Sequence, residues 1–300
     1  MTRILVIKLG ALGDLVQAFA PFAAIRAHHP TAEVTLLTTA PFAGLMRAAP
    51  WFDRVVVDAR PPWWNLAALV ALRRVLSGHD MVYDLQTSGR SSRYFRLAGR
   101  PAWSGIAAGA SRPHDNPQRN YMHTRARQRD QLRRAGIADV PDADLSWLAT
   151  GGPVLPDPYA LLVPGAAPHR PAKRWPAERF GGLARRLRDA GVTPVVVGTQ
   201  AEAPLAAVIL AACPEARDLT GRTSLAELAG LAARARLAVG NDTGPMHLAA
   251  AMGCPATVLF SRDSDPSLTA PLGHVPGQVR VIRVDDLATL SVERVAASLG

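Results

Sequence analysis

Short apolar runs rich in Val, Ile and Leu recur along the chain, separated by segments in which the apolar residues have helical spacing. The runs predict strands at residues 3–8, 33–37, 54–57, 80–84 and 103–106, and again at 159–163, 193–198, 236–240 and 256–260. Such alternation is typical of a parallel sheet with helices on both faces, the doubly wound α/β class. In folds of this class, ligands bind at the carboxyl ends of the strands.

A Pro- and Gly-rich passage at residues 141–158 interrupts the alternation and is the best candidate for a linker. The chain has 300 residues, which is more than one hydrophobic core usually holds. We therefore predict two Rossmann-like domains, residues 1–152 and 153–300, that face each other across a cleft.

Capping signals mark several predicted helices. The first helix is expected over residues 15–28, and another is expected to begin with Pro176 at its first position. Ser224 and Glu227 have the spacing of a capping box, and a last helix is predicted over residues 291–299.

The turn after the first strand carries Gly10, Gly13 and Asp14. It lacks the Lys-Ser/Thr pair of a phosphate-binding P-loop and the third glycine of a dinucleotide fingerprint, so both familiar motifs are excluded. From the residues alone, Asp14 is best interpreted as an ordinary N-cap of the following helix.

A second strand-loop-helix unit covers residues 236–251, and the loop carries Asp242 and Thr243. Either side chain can cap the helix, Pro245 suits its first turn, and the free amides there favour an anionic ligand such as a phosphate. Asp242 and His247 would then border that pocket. The alternative is that the loop is only an N-cap and that His247 is an ordinary buried histidine.

The net charge of +10 favours acidic partners, namely nucleotides, anionic lipids or nucleic acid. Eleven arginines and only three aspartates lie within residues 84–134. The segment with Arg119, His123, Arg125 and Arg127 is therefore either a solvated helix face or an anion-binding surface.

Only two of the 34 basic residues are lysines, Lys8 and Lys173, and each adjoins a predicted ligand loop. We mark both as candidate site residues. The chain has no apolar run near the roughly 20 residues of a membrane span and no signal peptide, so a cytoplasmic protein is expected. Cys213 and Cys254 lie far apart without metal-type spacing, which fits a reducing compartment.

Six motifs occur in order along the chain: KLGALGD at 8–14, DLQ at 84–86, PGA at 164–166, KRWP at 173–176, Gly198 with Glu202, and NDTGPMHL at 241–248. Together they resemble the ADP-heptose:lipopolysaccharide heptosyltransferases of glycosyltransferase family nine along nearly the whole chain. The resemblance implies a GT-B fold and a metal-independent transfer of heptose from ADP-heptose to a lipopolysaccharide core or a related glycan. The nucleotide sugar is then a co-substrate, and no cofactor is expected.

The resemblance also implies roles for single residues. Asp14 resembles the general base, and Lys173 resembles the residue that pairs with the donor diphosphate. The other donor-binding positions would be Gly165, Ala166, Glu202 at the ribose, Thr223 at the base, Asp242, Thr243, Gly244 and His247. An anionic glycolipid acceptor of the lipid A-core type would meet Lys8, Gly13, Gln86, Arg90, Arg125 and Arg127. Residues 1–152 would thus form the acceptor domain and residues 153–300 the nucleotide-sugar domain, with peripheral association at the cytoplasmic face of the inner membrane.

Some features depart from the family pattern or leave alternatives. Pro168, His169, Arg170 and Pro171 replace hydroxyl residues of several relatives, which leaves the donor sugar open. Asp263 and Asp265 have metal-pair spacing, but the domain pattern is wrong for metal-dependent transferases, so no metal site is expected. One alternative is a nucleotide-sugar epimerase of the same fold, which needs no basic acceptor face. The other is a nucleic-acid-binding protein, and the few aromatic residues of the basic tract do not favour it.

Overall fold

The computed structural model describes residues 1–167 and 169–299, so Pro168 and Gly300 lie outside the described residues. Its contacts divide the chain into two units, Met1–Ala143 and Asp144–Gly300. The division falls inside the Pro- and Gly-rich passage, nine residues before the boundary predicted after residue 152.

The first unit is a parallel sheet covered by helices. Its strands are β1 (Arg3–Ile7), β2 (Glu33–Thr38), β3 (Arg54–Val57), β4 (Met81–Asp84), β5 (Trp103–Gly105) and β6 (Arg112–Pro113). Its helices are α1 (Leu12–Val16), α2 (Phe19–His28), α3 (Ala40–Arg47), α4 (Leu66–Leu76), α5 (Gly89–Leu97) and α6 (Thr124–Arg134). The strand order is β3-β2-β1-β4-β5-β6, and every pairing is parallel. This is the dinucleotide-fold order, whose topological switch point lies between β1 and β4.

The second unit repeats this arrangement. Its strands are β7 (Tyr159–Val163), β8 (Thr193–Val196), β9 (Arg217–Asp218), β10 (Leu237–Asn241), β11 (Ala256–Phe260) and β12 (Val279–Arg283). Its helices are α7 (Ala177–Asp189), α8 (Ala203–Ala212), α9 (Leu225–Arg234), α10 (Gly244–Ala251), α11 (Pro266–Thr269) and α12 (Val292–Ala296). The order β9-β8-β7-β10-β11-β12 matches that of the first sheet, so the switch point lies between β7 and β10. The predicted pair of Rossmann-like, doubly wound α/β sheets is confirmed.

The central strands are buried on both faces, which explains their continuous apolar sequences. In β7, β10 and β11 every residue is buried. The core of the second unit includes Trp175 and Phe180. The indole N–H of Trp175 donates to the Leu290 carbonyl at 2.9 Å, so this large side chain is buried without losing its polar bond.

The predicted helix over residues 15–28 is wrong in one respect, because the chain forms two helices there. α1 ends at Val16 and α2 begins at Phe19. Pro21 explains the break: it has no N–H to donate to the Gln17 carbonyl, and its ring would collide with that carbonyl in a continuous helix. In the first turn of α2 the proline is tolerated.

Other helix ends differ by one or a few residues from the prediction. Pro176 is the N-cap of α7 and not its first helical residue. The last helix is shorter than predicted, and the Ser291 hydroxyl caps it by accepting from the Arg294 amide. The capping box of Ser224 and Glu227 at the start of α9 is confirmed.

The passage at residues 151–152 is packed against α9 and is not a free linker. A Cβ at Gly151 would lie 2.6 Å from the Ala226 carbonyl oxygen, and one at Gly230 would lie 1.9 Å from the Gly151 oxygen. The Arg234 guanidinium also donates to the Gly151 carbonyl at 2.9 Å. The two backbones are therefore in direct contact, and only glycine fits between them.

We expect Gly230→Ala to destabilise the protein by about 2 kcal/mol or more, because the clash is with backbone atoms that cannot rotate away. Gly44→Ala is the matched control, since Gly44 is also inside a helix and its Cβ would meet nothing within 4 Å. That variant should be stabilised by up to about 1 kcal/mol. Urea unfolding of both variants measures the difference, and equal stability would contradict the packed contact.

Candidate functional site

One cavity of the first unit lies at the switch point, beyond the ends of β1 and β4. It has a volume of about 60 Å³ and is lined by Lys8, Asp14, Leu85, Gln86, Thr87, Arg127, Gln128 and Gln131. Three predicted acceptor residues, Lys8, Gln86 and Arg127, thus share one cavity with Asp14, the predicted base. Ligands of doubly wound folds bind at this place.

Lys8 is buried, and its Nζ donates to the Leu85 carbonyl at 3.1 Å. Burial lowers the pKa of this ammonium, and the negative charges of Asp14 and Asp84 oppose the effect, whereas Arg127 adds to it. Lys8, Asp14 and Arg127 therefore act on one another electrostatically. The cavity combines cations that attract an anion with one carboxylate at its wall.

Asp14 is not the N-cap that its sequence context favoured. Ala11 occupies that position without a side-chain capping bond, and Asp14 lies in the first turn of α1, partly exposed. Among the residues that the structure describes, its carboxylate takes part in no hydrogen bond or ion pair. The carboxylate is therefore available to accept a proton from a ligand in the cavity.

Asp84 organises the loop that follows β4. Its Oδ1 accepts from the amides of Gln86 at 3.1 Å and Thr87 at 3.0 Å. These bonds hold Thr87 at a φ of 44°, a left-handed conformation that a β-branched residue rarely adopts. Gln86 in turn accepts from the Leu9 amide at 2.8 Å and ties the two switch-point loops together.

Burial raises the pKa of Asp84 to about 6, although the amides of Thr87 and Gln86 and the Lys8 charge oppose the change. Between pH 4 and pH 6 the unfolded chain releases this proton while the folded protein retains it. The contribution of Asp84 to the free energy of unfolding should therefore fall by about 3 kcal/mol as the pH rises through this interval.

Asp84→Asn should remove that fall, because the amide keeps an oxygen for the two backbone donors and carries no charge. The measurement is urea unfolding of wild type and variant from pH 4 to pH 7. Their difference in stability should change with pH in favour of the variant. A difference that stays constant would contradict the raised pKa.

Helix α6 supplies the opposite wall of the cavity through Arg127, Gln128 and Gln131. Nε2 of Gln131 donates to the Asp84 carbonyl at 2.9 Å, which fixes the helix against β4. Gln128 is buried, and its Oε1 has no hydrogen-bond partner among the described residues. The sequence analysis missed both glutamines. Gln131 lies three residues after Gln128 and four after Arg127, and this spacing was the available signal, because such residues share one helix face.

The basic tract thus has more than one role. Arg125 forms an ion pair with Asp142, whereas Arg127 lines the cavity. Arg90 donates to the Pro61 carbonyl at 3.4 Å and lies over the Trp63 ring at 5.3 Å, so its contacts are with neighbouring loops. Gly13 precedes Asp14 in α1 and does not line the cavity.

The second unit brings predicted donor residues together at its own switch point. Lys173 Nζ donates to Asp242 Oδ2 at 2.6 Å, and the Ser264 hydroxyl donates to the same oxygen at 2.7 Å. Both partners of the ion pair are largely buried. Thr243 is the N-cap of α10 but makes no side-chain capping bond. Thr243 thus occupies the N-cap position without a side-chain bond to a helix amide, and amides at the start of α10 remain available to a ligand.

Asn241 connects the loops around this ion pair. Its Oδ1 accepts from the Trp175 amide at 3.0 Å, and its Nδ2 donates to the carbonyls of Pro164 at 2.8 Å and Gly165 at 3.4 Å. This fully buried side chain therefore fixes the loop after β7 and the residues next to Lys173. The sequence motif at 241–248 includes Asn241, but the role of this residue depends on contacts with residues about 70 positions away in the chain.

Glu202 lies beside the loop after β7. It accepts from the Thr199 amide at 2.8 Å, and a Cβ at Gly165 would lie 2.8 Å from its Cγ. Gly198 is as close, since a Cβ there would lie 3.0 Å from the Glu202 Cβ. Gly165 and Glu202 are thus adjacent as predicted, and both motif glycines make room for the acid.

The remaining donor candidates are buried or are not joined to the Lys173 cluster by a hydrogen bond among the described residues. Ala166 is buried, and its carbonyl accepts from Arg174 at 3.0 Å. His247 is buried in α10. Thr223 lies just before the N-cap of α9, and within residues 1–167 and 169–299 no hydrogen bond joins it to the Lys173 cluster.

Asp265, one of the two aspartates with metal-pair spacing, has a structural role. Asp265 caps α11 by accepting from the Ser267 amide at 2.9 Å and hydroxyl at 2.7 Å. In the part of the chain that the structure describes, no group of three or more His, Cys, Asp or Glu side chains is arranged to hold a metal ion. None of the described helices has the length and apolar character needed to cross a membrane.

Comparisons with known proteins agree with this architecture. A family model described as glycosyltransferase family 9 (heptosyltransferase) matches residues 69–296, about three quarters of the chain. Lipopolysaccharide heptosyltransferase 2 of Escherichia coli (strain K12) is 38% identical over 132 residues, which cover 42% of this chain but only 36% of that protein. The chain thus matches little more than a third of the length of this relative.

Two longer alignments extend over nearly the whole chain. The lipopolysaccharide core heptosyltransferase OpsX of Haemophilus influenzae is 23% identical over 301 residues, 92% of this chain and 83% of that protein. The solved structure of E. coli heptosyltransferase WaaC with ADP has a TM-score of 0.82 at 22% identity and covers 99% of this chain and 98% of its own. The structural likeness establishes a shared fold.

Proposed function

The chain belongs to glycosyltransferase family 9, and from this premise we propose that it transfers a sugar from a nucleoside diphosphate sugar to a glycan hydroxyl. The proposed donor is ADP-heptose, and the proposed acceptor is an anionic glycolipid of the lipopolysaccharide-core type. The relatives named as lipopolysaccharide heptosyltransferases and the WaaC structure with ADP support this choice.

The observation that carries the proposal is the cavity formed by Lys8, Asp14, Gln86 and Arg127 at the switch point of the first unit. Cations there would attract an anionic acceptor, and the Gln128 amide oxygen would accept a hydrogen bond from one of its hydroxyl groups. Asp14 would then accept the proton of the attacking hydroxyl as the new glycosidic bond forms.

The cluster around Lys173 in the second unit would bind the donor. Asp242 would act as a positioning residue that holds the ammonium of Lys173 in place through the 2.6 Å bond. As the glycosyl bond breaks, negative charge develops on the leaving diphosphate. Lys173 and the amides at the start of α10 would stabilise that charge and need no metal ion for it.

A thermal-shift panel tests the donor class, because a ligand that binds only the folded protein raises its melting temperature according to affinity and concentration. ADP and ADP-heptose should raise it more than UDP and GDP do. A shift by UDP or GDP without one by ADP would exclude the adenine donor. Incubation of the protein with the donor but without an acceptor then tests the epimerase alternative. An epimerase would convert the sugar of the donor, whereas a transferase would leave it unchanged.

Arg125 and Arg127, two of the arginines of α6, should differ in their effect on acceptor use. Arg127→Gln should raise the acceptor KM about tenfold at low salt, and less at high salt, because the lost charge lines the cavity. Arg125→Gln is the matched control and should change KM little, since its guanidinium already pairs with Asp142. Steady-state kinetics at two salt concentrations measure both. Equal effects of the two changes would argue against Arg127 as the acceptor contact.

A further inference from the structure

One exposed surface of the first unit is apolar and basic at the same time. It consists of Trp64, Leu66 and Val70 with Arg73 and Arg74, and we call it the α4 face. Trp64 is 83% exposed, Leu66 74% and Val70 51%. Large apolar side chains so exposed and so close together are unusual on a soluble surface and mark an interaction site.

The geometry of α4 places these residues on one side. Val70 lies four residues after Leu66, and Arg73 and Arg74 lie three and four residues after Val70. Side chains at these spacings are neighbours along one side of a helix. The buried residues of this helix, Leu72 and Leu76, are four residues apart and pack into the core. Trp64 immediately precedes the Asn65 N-cap, at the end of α4 where Leu66 lies.

The charge around this face has one sign. Residues 59–79 and 85–114 contain no Asp or Glu. Arg73 and Arg74 are exposed and, within the described chain, form no ion pair, unlike Arg125 and Arg129, which pair with Asp142. The neighbouring Arg93 lies 5.3 Å from the centroid of the Trp63 ring.

We propose that the α4 face is a docking surface for an anionic lipid bilayer. Tryptophan and leucine would insert at the level of the headgroups, and the arginines beside them would attract the acidic lipids. Unpaired arginines without neighbouring acids favour an anionic surface over a second copy of this basic chain.

The face is joined to the cavity through a short path. Arg60 Nη2 donates to the Leu9 carbonyl at 2.9 Å, and the Leu9 amide donates to Gln86, which lines the cavity. The loop that carries Trp64 thus starts beside the candidate acceptor site. Docking would bring that cavity to the headgroup of a lipid-anchored acceptor, and this consequence rests on the proposed function.

Vesicle co-sedimentation of the full chain tests the proposal. Vesicles with roughly a third phosphatidylglycerol should bind the wild type, in a salt-sensitive way, and phosphatidylcholine vesicles should not. Trp64→Ser, Leu66→Ser and Val70→Ser combined should lower binding at least about tenfold. Arg73→Gln and Arg74→Gln should each lower it about fivefold.

Exposed valines of the second unit provide the matched control. Val154 is 94% exposed and Val275 63%, and their replacement by Ser should leave vesicle binding unchanged. Melting temperatures of all variants verify folding. The proposal would be overturned if the wild type did not bind anionic vesicles, or if the triple serine variant bound them as tightly as the wild type. If light scattering showed that the wild type is a dimer and the triple serine variant a monomer, the face would be assigned to contact with a second copy instead.

Transfer assays keep this proposal separate from the proposed activity. The triple serine variant should transfer sugar to a delipidated, water-soluble acceptor at the wild-type rate and lose transfer to the same glycan in vesicles. Wild type that binds vesicles but transfers to neither acceptor would refute the activity and leave the docking surface intact. Equal loss on both acceptors would refute the docking role.

Discussion

Asp14→Asn is expected to slow sugar transfer by about 10²–10⁴-fold, because an amide cannot accept the proton that a positioned carboxylate would take. The loss should persist across the pH range, since no carboxylate remains to be ionised. Donor affinity should stay unchanged, because the proposed donor residues belong to the second unit. Single-turnover rates and calorimetry with the nucleotide sugar measure the two quantities.

The structure predicts that Asp14→Asn has only a small effect on the free energy of unfolding. Asp14 makes no capping bond, so the only expected effects on stability are the lost charge near the start of α1 and near Lys8. These should amount to about 1 kcal/mol or less. Asp14→Glu keeps a carboxylate and should retain more transfer than Asp14→Asn. A folded Asp14→Asn enzyme that transfers sugar at the normal rate would leave the mechanism without its base.

Lys173→Met is expected to weaken ADP binding by about 10- to 100-fold, the worth of one charge-assisted bond to a phosphate. Turnover should fall together with affinity, because the same ammonium would contact the phosphates before and during departure. Isothermal calorimetry with ADP and steady-state rates measure these effects.

Stability should change as well, because Asp242 Oδ2 would lose the Lys173 ammonium and keep the hydrogen bond from the Ser264 hydroxyl. A loss of about 1–3 kcal/mol is expected for a largely buried charge whose partner is removed. Arg186→Met is the matched control, since it removes an exposed cation of the same unit that pairs with Glu293. Normal ADP affinity in Lys173→Met would exclude the phosphate role.

The strands of both sheets were predictable because central strands of a parallel sheet are buried on both faces and read as continuous apolar runs. Tyr159–Val163 and Ala256–Phe260 are identical to the predicted ranges. The gathering of Lys8, Asp14 and Gln86, which the family resemblance implied, agrees with the same reasoning, because the ends of neighbouring parallel strands meet at one edge.

Contacts between distant residues were not predictable from local patterns. The Lys173–Asp242 ion pair joins residues 69 positions apart, and nothing in either segment indicates which polar atom the other will meet. For Gln128 the sequence gives only half of the answer, because the helix face that it shares with Gln131 is predictable but the cavity that this face lines is not. The break before α2 could have been predicted, because Pro21 was visible and its effect on the preceding carbonyl is general.

The packed glycines at residues 151–152 determine where this chain can be recombined with a relative. A crossover after residue 152 would take Gly151 from one parent and α9 with Gly230 from another, although a Cβ at Gly230 would lie only 1.9 Å from the Gly151 oxygen. A crossover between Ala143 and Asp144 inherits both together, along with the Arg234 bonds to Gly151 and Pro153. Chimeras that exchange whole halves between family members should therefore be joined at that earlier position.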